Sequence, residues 1–225
     1  PGASVVLNNN NQEFGNLAGT SVVSVVQNTG GTLDLGTATL VVGRQGSDQT
    51  FSGQLIGGAG SKITKIGAGR LTLDNYNTSA PNSLATLDIA QGVVTTWNND
   101  QTWSTPTGFA SSIPSSTTVL LRGGEWEVRS GGDSTSNFQV IPIGNSIVHG
   151  GGNSTFDTDR FNNGSNKILT FNNLTLDKEL FLATGGNAIY PRFDGTITLV
   201  NHARVQTDAP LLLNGPITGN YTLTK

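Results

Sequence analysis

Ile63-Thr64-Lys65-Ile66-Gly67-Ala68-Gly69-Arg70-Leu71-Thr72-Leu73 places two alternating runs on either side of a glycine-rich bend. A period of two puts Ile63, Leu71 and Leu73 on one face of an extended chain and Lys62, Arg70 and Thr72 on the other. Gly67 and Gly69 fall where the chain turns and needs either positive φ or a close backbone approach. Thr86-Leu87-Asp88-Ile89 continues the pattern, with Leu87 and Ile89 expected inside, Asp88 facing water and Gly92 at the next turn.

Outward from this stretch, strand signals recur. Ser21 to Val26, Thr37 to Val42, Thr118 to Leu121, Ile168 to Phe171 and Thr196 to Leu199 are short runs rich in β-branched residues, each bounded by Gly, Asn or Asp. No 11-residue window carries an i, i+3, i+4, i+7 apolar stripe, so helix content is expected to be very low. Short strands with frequent turns fit an antiparallel sandwich or barrel and also a parallel solenoid. Internal repetition favours the solenoid. The run from Phe51 through Gly53, Ile56 and Gly57 to Lys62-Ile63-Thr64-Lys65 has a shorter echo in Leu213-Asn-Gly215-Pro-Ile217-Thr-Gly219-Asn-Tyr221-Thr222-Leu223-Thr224-Lys225. Units that recur with variable insertions are what a solenoid with outgrown turns looks like. At roughly twenty residues per rung and ~4.8 Å between rungs, the chain makes about ten rungs and a rod about 50 Å long.

The stretch from Ile63 to Thr78 resembles the autotransporter-associated β-strand repeat, which runs Leu-x-Lys-x-Gly-x-Gly-x-Leu-x-Leu and then Asn-Thr. Thr86 to Val93 is similar to that repeat's closing strand and turn. The aromatic-x-Gly that usually follows Asn-Thr is replaced by Ser79-Ala80-Pro81. The resemblance implies an all-β, right-handed parallel β-helix with loop insertions, displayed outside a bacterial cell as a stalk, adhesin or fibre segment. It transfers no catalytic residues. Residues 1–225 are expected to form one solenoid segment of a longer chain, with 97–116 as a loop insertion. Both ends are expected to be covered by another rung, from the same chain or by end-to-end self-association.

Composition narrows the function classes. Only 12 % of residues are charged and the net charge is -3, whereas average proteins carry about 25 % charged residues. Twelve basic residues scattered among fifteen acidic ones give no clustered footprint for nucleic acid. With no cysteine, disulfides, zinc-thiolate sites and thiol nucleophiles are excluded. No run of about 18 apolar residues marks a membrane span in this segment.

Candidate chemistry is sparse, and no cofactor, metal or catalytic residue is expected. His149 and His202 stand far apart in neutral surroundings, unlike a ligand cluster with short spacings. Asp157-Thr158-Asp159-Arg160-Phe161-Asn162-Asn163-Gly164 echoes a calcium loop but lacks the closing bidentate Glu, so an Asx-rich turn is expected there. Parallel β-helices also carry polysaccharide lyases and hydrolases. Asp157, Asp159 and Arg160 fit such chemistry, as do Glu125 and Glu127, which alternate about Trp126 and share a strand face. Trp97, Trp103 and Phe109 lie in a Thr/Asn-rich stretch and offer flat apolar faces to a glycan on a host or neighbouring cell surface, or pack that stretch onto the solenoid. The expected role is therefore a structural or adhesive extracellular β-solenoid. The alternative is a carbohydrate-active enzyme or glycan-binding module.

Overall fold

The computed structural model describes residues 4–18, 31–75, 82–99, 110–131, 139–160 and 165–225, and among them every regular element is a strand. Nine strands form one unbroken parallel sheet, here the central sheet: Gln12–Phe14, Thr39–Val42, Lys62–Lys65, Thr86–Ile89, Thr118–Leu121, Ser146–His149, Leu174–Leu176, Ile197–Leu199 and Ile217–Thr218. A second parallel sheet runs beside it through Gln49–Phe51, Arg70–Leu73, Val93–Asn99, Glu125–Ser130, Ser154–Arg160, Leu180–Gly185, Ala203–Thr207 and Leu223–Thr224. The third face holds a three-stranded sheet (Ser4–Val6, Thr32–Gly36, Gln54–Gly57) and a four-stranded one (Gln139–Pro142, Lys167–Phe171, Ile189–Phe193, Leu212–Leu213). The chain visits third face, central sheet and second sheet in turn, so each circuit adds one rung. This is a parallel β-helix.

Inward side chains stack in register. Leu40, Ile63, Leu87, Val119 and Ile147 are successive partners in the central sheet, as are Val42, Lys65, Ile89, Leu121 and His149 in the neighbouring inward row. Leu71, Leu73, Leu87, Ile89 and Ile63 are all buried, as alternation requires. The second sheet faces them with Leu71, Val94, Trp126 and Phe156. Burying such side chains stabilises by about 1.5–3 kcal/mol each.

Circuits are longer and more uneven than twenty residues. Partners lie 32 positions apart at Thr95 and Glu127 and 20 apart at Asp194 and Asn214. Nine rungs at ~4.8 Å give a rod about 40 Å long. Within the span expected as an insertion, residues 97–99 continue the strand Val93–Asn99. Ala110–Ser111 pairs back on that strand antiparallel.

Where the third face lacks a regular strand, asparagines bridge the rungs. Asn82 accepts from the Leu55 amide at 2.7 Å and donates to Ser112 O at 2.6 Å, and Asn145 donates to Pro114 O and Thr117 O at 2.6 and 2.8 Å. Gly67 and Gly92 have φ of 70° and 67°, a region that costs a Cβ-bearing residue energy. Gly69 needs smallness instead: a Cβ there would sit 2.4 Å from Ser47 O.

Two expectations about the core are corrected. Asp88 does not face open water; it is 2 % exposed, covered by Arg122, whose Nε and Nη2 reach its carboxylate at 2.7 and 2.6 Å. The C-terminal echo also falls on different faces. Gln54–Gly57 and Lys62–Lys65 occupy the third face and the central sheet, whereas Ile217–Thr218 and Leu223–Thr224 occupy the central and second sheets. The repeated unit is a strand–corner–strand piece that serves more than one corner of the prism.

Candidate functional site

On the outer side of the second sheet, two consecutive rungs bring together the charged residues that the sequence offers as two separate candidates. The strand Glu125–Ser130 buries Trp126 and Val128 and so turns Glu125, Glu127 and Arg129 outward. The next strand, Ser154–Arg160, buries Phe156 and Thr158 and presents Asp157 and Asp159. Parallel register sets Glu127 beside Asp157 and Arg129 beside Asp159. An internal aromatic stack fixes this alignment: Trp126 lies 5.4 Å from Phe156, which meets Phe171 edge-on at 5.0 Å and Phe181 at 6.1 Å. The indole Nε1 also donates to Thr96 Oγ1 at 3.0 Å.

Like charges side by side in a sheet repel, and two arginines relieve that repulsion. Arg129 reaches Glu127 Oε1 at 3.0 Å, Asp157 Oδ2 at 3.3 Å and Asp159 Oδ2 at 3.1 Å. Arg70, from an earlier rung, pairs with Glu127 and donates to Thr95 Oγ1 at 2.6 Å, and Thr95 in turn donates to Glu127 Oε2 at 2.7 Å. Thr184 donates to Asp157 Oδ1 at 2.6 Å, and Asn187 to Asp159 Oδ1 at 2.6 Å.

The carboxyls are pushed in opposite directions. Burial, then the charge and hydrogen bond of Glu127, hold Glu125 above the usual carboxylate range. Burial also raises Asp157, against the pull of Thr184 and Arg129. Burial pushes Glu127 up too, but hydrogen bonds from Arg70 and Thr95 and the charge of Arg129 outweigh it, and the group ends below its ordinary value. Neighbouring carboxyls with separated pKa values are what acid–base chemistry uses, one keeping its proton while the other stays ionised. Oxygens of Glu125, Glu127 and Asp157 lie within 4.8 Å of one another, which is the one group among the described residues able to hold a hard cation.

Asp157 and Asp159 therefore sit in a strand where an Asx-rich turn was expected, with strand geometry running to Arg160. Residues 161–164 lie outside the described residues. Arg160 is exposed, and its amide donates to Asp159 Oδ1 at 2.7 Å. Trp97 is half-buried and is the register partner of Arg129, on the same outward side as the carboxyls. Its amide donates to Ser112 Oγ at 2.9 Å. Trp103 and Phe109 lie outside the described residues. The histidines have separate partners: His149 is buried with Nε2 on Gly152 O, while His202 is exposed and accepts from the Thr222 amide.

Sequence reasoning saw that Glu125 and Glu127 share a face but missed Arg70, Thr95, Arg129 and Thr184. Their meeting depends on circuits of different length, which no local pattern in the sequence gives. Comparison with protein-family models, curated proteins and solved structures finds no match for this chain.

Proposed function

We propose that this chain is a length of structural or adhesive solenoid displayed outside the cell, of the kind found in autotransporter passengers. The observation that carries this reading is the unbroken nine-stranded central sheet over a continuous apolar stack, an arrangement that spends its residues on length and stiffness. The motif residues support it. Lys65 turns inward, and its Nζ donates to the carbonyls of Ile66 at 2.8 Å and Gly67 at 2.7 Å, so the Lys-x-Gly-x-Gly segment closes a corner of the prism. Along the outer side of the central sheet, Thr39, Lys62, Thr86, Thr118 and Ser146 follow one another in register. This is a hydroxyl-rich surface that suits glycan or cell-surface contact. The test is retention of the purified chain on immobilised polysaccharides and intact cells. Replacing Trp97 and Trp103 by Ala is expected to abolish retention without lowering the melting temperature; lost stability with full retention would assign these rings to packing.

A second reading, a carbohydrate-active enzyme, is favoured by the opposite pKa shifts of Glu125 and Glu127 beside Arg70 and Arg129. In it Glu125 donates a proton to a leaving oxygen, while Glu127, held by Arg70, Arg129 and Thr95, raises the Glu125 carboxyl from beside it. New reducing ends or unsaturated uronates released from a polysaccharide panel, and lost in Glu125→Gln, would establish it. No release from any member of the panel leaves the structural reading.

A further inference from the structure

His149 ends an inward row that runs Val42, Lys65, Ile89 and Leu121: it follows Leu121 in register and is 1 % exposed. Its ring meets Phe181 edge-on at 5.5 Å. Nε2 lies 3.1 Å from Gly152 O, which fixes the neutral tautomer with the proton on Nε2, while Nδ1 is buried with no hydrogen-bond partner. The ring thus ties down the turn Gly150-Gly151-Gly152, where Gly151 has φ of 95°. That turn leads into contacts with both neighbouring rungs: Ser154 Oγ donates to Gly152 O at 3.2 Å and accepts from Gly123 N at 2.9 Å, and Asn153 Oδ1 accepts from Leu180 N at 3.0 Å.

We propose that His149 is an acid-opened latch: neutral, it holds the turn 150–152 against the core, and protonated, it releases that turn and loosens Ser146–His149 and Ser154–Arg160. A proton on Nδ1 places a charge in the apolar stack. Around it, Asp177 and Glu179 lie on the following turn, with Lys178 paired to Glu179 at 3.9 Å. Arg122 lies along Gly151 from the preceding turn, its charge engaged by Asp88. Burial lowers the imidazole below its ordinary range. The Gly152 carbonyl, Asp177, Glu179 and the Leu180 backbone pull the other way without overcoming it. Because the folded value is depressed, the unfolded chain binds the extra proton first. Stability is therefore full at neutral pH, begins to fall below about pH 6.5, and stops falling below the folded value. The strand released carries Asp157 and Asp159, so acid would also disperse the charged cluster.

NMR can follow the His149 ring, which is expected to titrate below the ordinary imidazole value of about 6.5. Hydrogen exchange, corrected for its intrinsic pH dependence, is expected to show amides 150–156 losing protection at least tenfold between pH 7 and pH 5 while 86–90 hold. His149→Gln should abolish that acid-dependent loss. Titration of His149 at or above the ordinary imidazole value of about 6.5 would overturn the proposal, as would an unchanged loss in His149→Gln; if that variant does not fold, the wild-type titration decides.

Discussion

Leu71 and its neighbour Arg70 differ in direction but not in the way that alternation alone implies. Leu71 sits in the stack at 1 % exposure, and Leu71→Ala is expected to cost about 2–5 kcal/mol in urea melts. Alternation gives Arg70→Ala little effect, because its side chain points outward. The structure makes it consequential: Arg70 pairs with Glu127, which is 4 % exposed, so the truncation leaves that carboxylate to Arg129 and Thr95 alone and is expected to cost about 1 kcal/mol. Asp88 carries the same lesson. Its cover comes from Arg122, 34 positions away, and no local pattern in the sequence gives that distance. Glu125 yields a signed prediction. Its folded pKa is raised, so the protein loses stability as pH climbs above the unfolded value near ~4.3. Glu125→Gln is therefore expected to melt higher than wild type at pH 7, with the gain vanishing at about pH 4, as calorimetry at the two pH values would show.

At the scale of the element, the strands that display the charged cluster are held by what lies beneath them. Trp126 touches Phe156 and Phe171, and Phe171 meets Phe193 at 5.5 Å, so the rings bind several rungs into one unit. Trp126→Ala is expected to cost about 3–5 kcal/mol. Combined with Phe156→Ala it should depart from additivity by about 0.5–3 kcal/mol in a double-mutant cycle, since the two rings share one cavity. Additive losses would mean that each ring packs alone. Strand identity was legible wherever period two was clean, as at Arg70–Leu73, and the inward turn of Lys65 follows from its parity with Ile63. The strand at Ser154–Arg160 was not legible past Asp157, because Asp, Thr and Asn there match turn chemistry as well as a solvated strand face. Only pairing with Glu125–Ser130 decides between them.

Across the whole molecule, backbone pairing joins each rung only to its neighbours, so protection should grade along the rod. Inward Ile217 in the last rung is 53 % exposed while its partner Ile197 is fully buried. In the 225-residue chain, amides of 212–224 are expected to exchange well before those of the central-sheet strands Thr86–Ile89, Thr118–Leu121 and Ser146–His149, as mass spectrometry of exchanged peptides would show. Uniform protection would point to a global rather than rung-wise transition. The face-shifted echo carries the last consequence. Because one strand–corner–strand piece fits more than one corner, gaining or losing such a piece leaves the stack intact but moves every later residue to the adjoining face. The bearing of all downstream side chains then swings about the rod axis by one facet, like a dial advanced one notch. A single indel could thus re-aim an entire surface pattern while the interior keeps its grain.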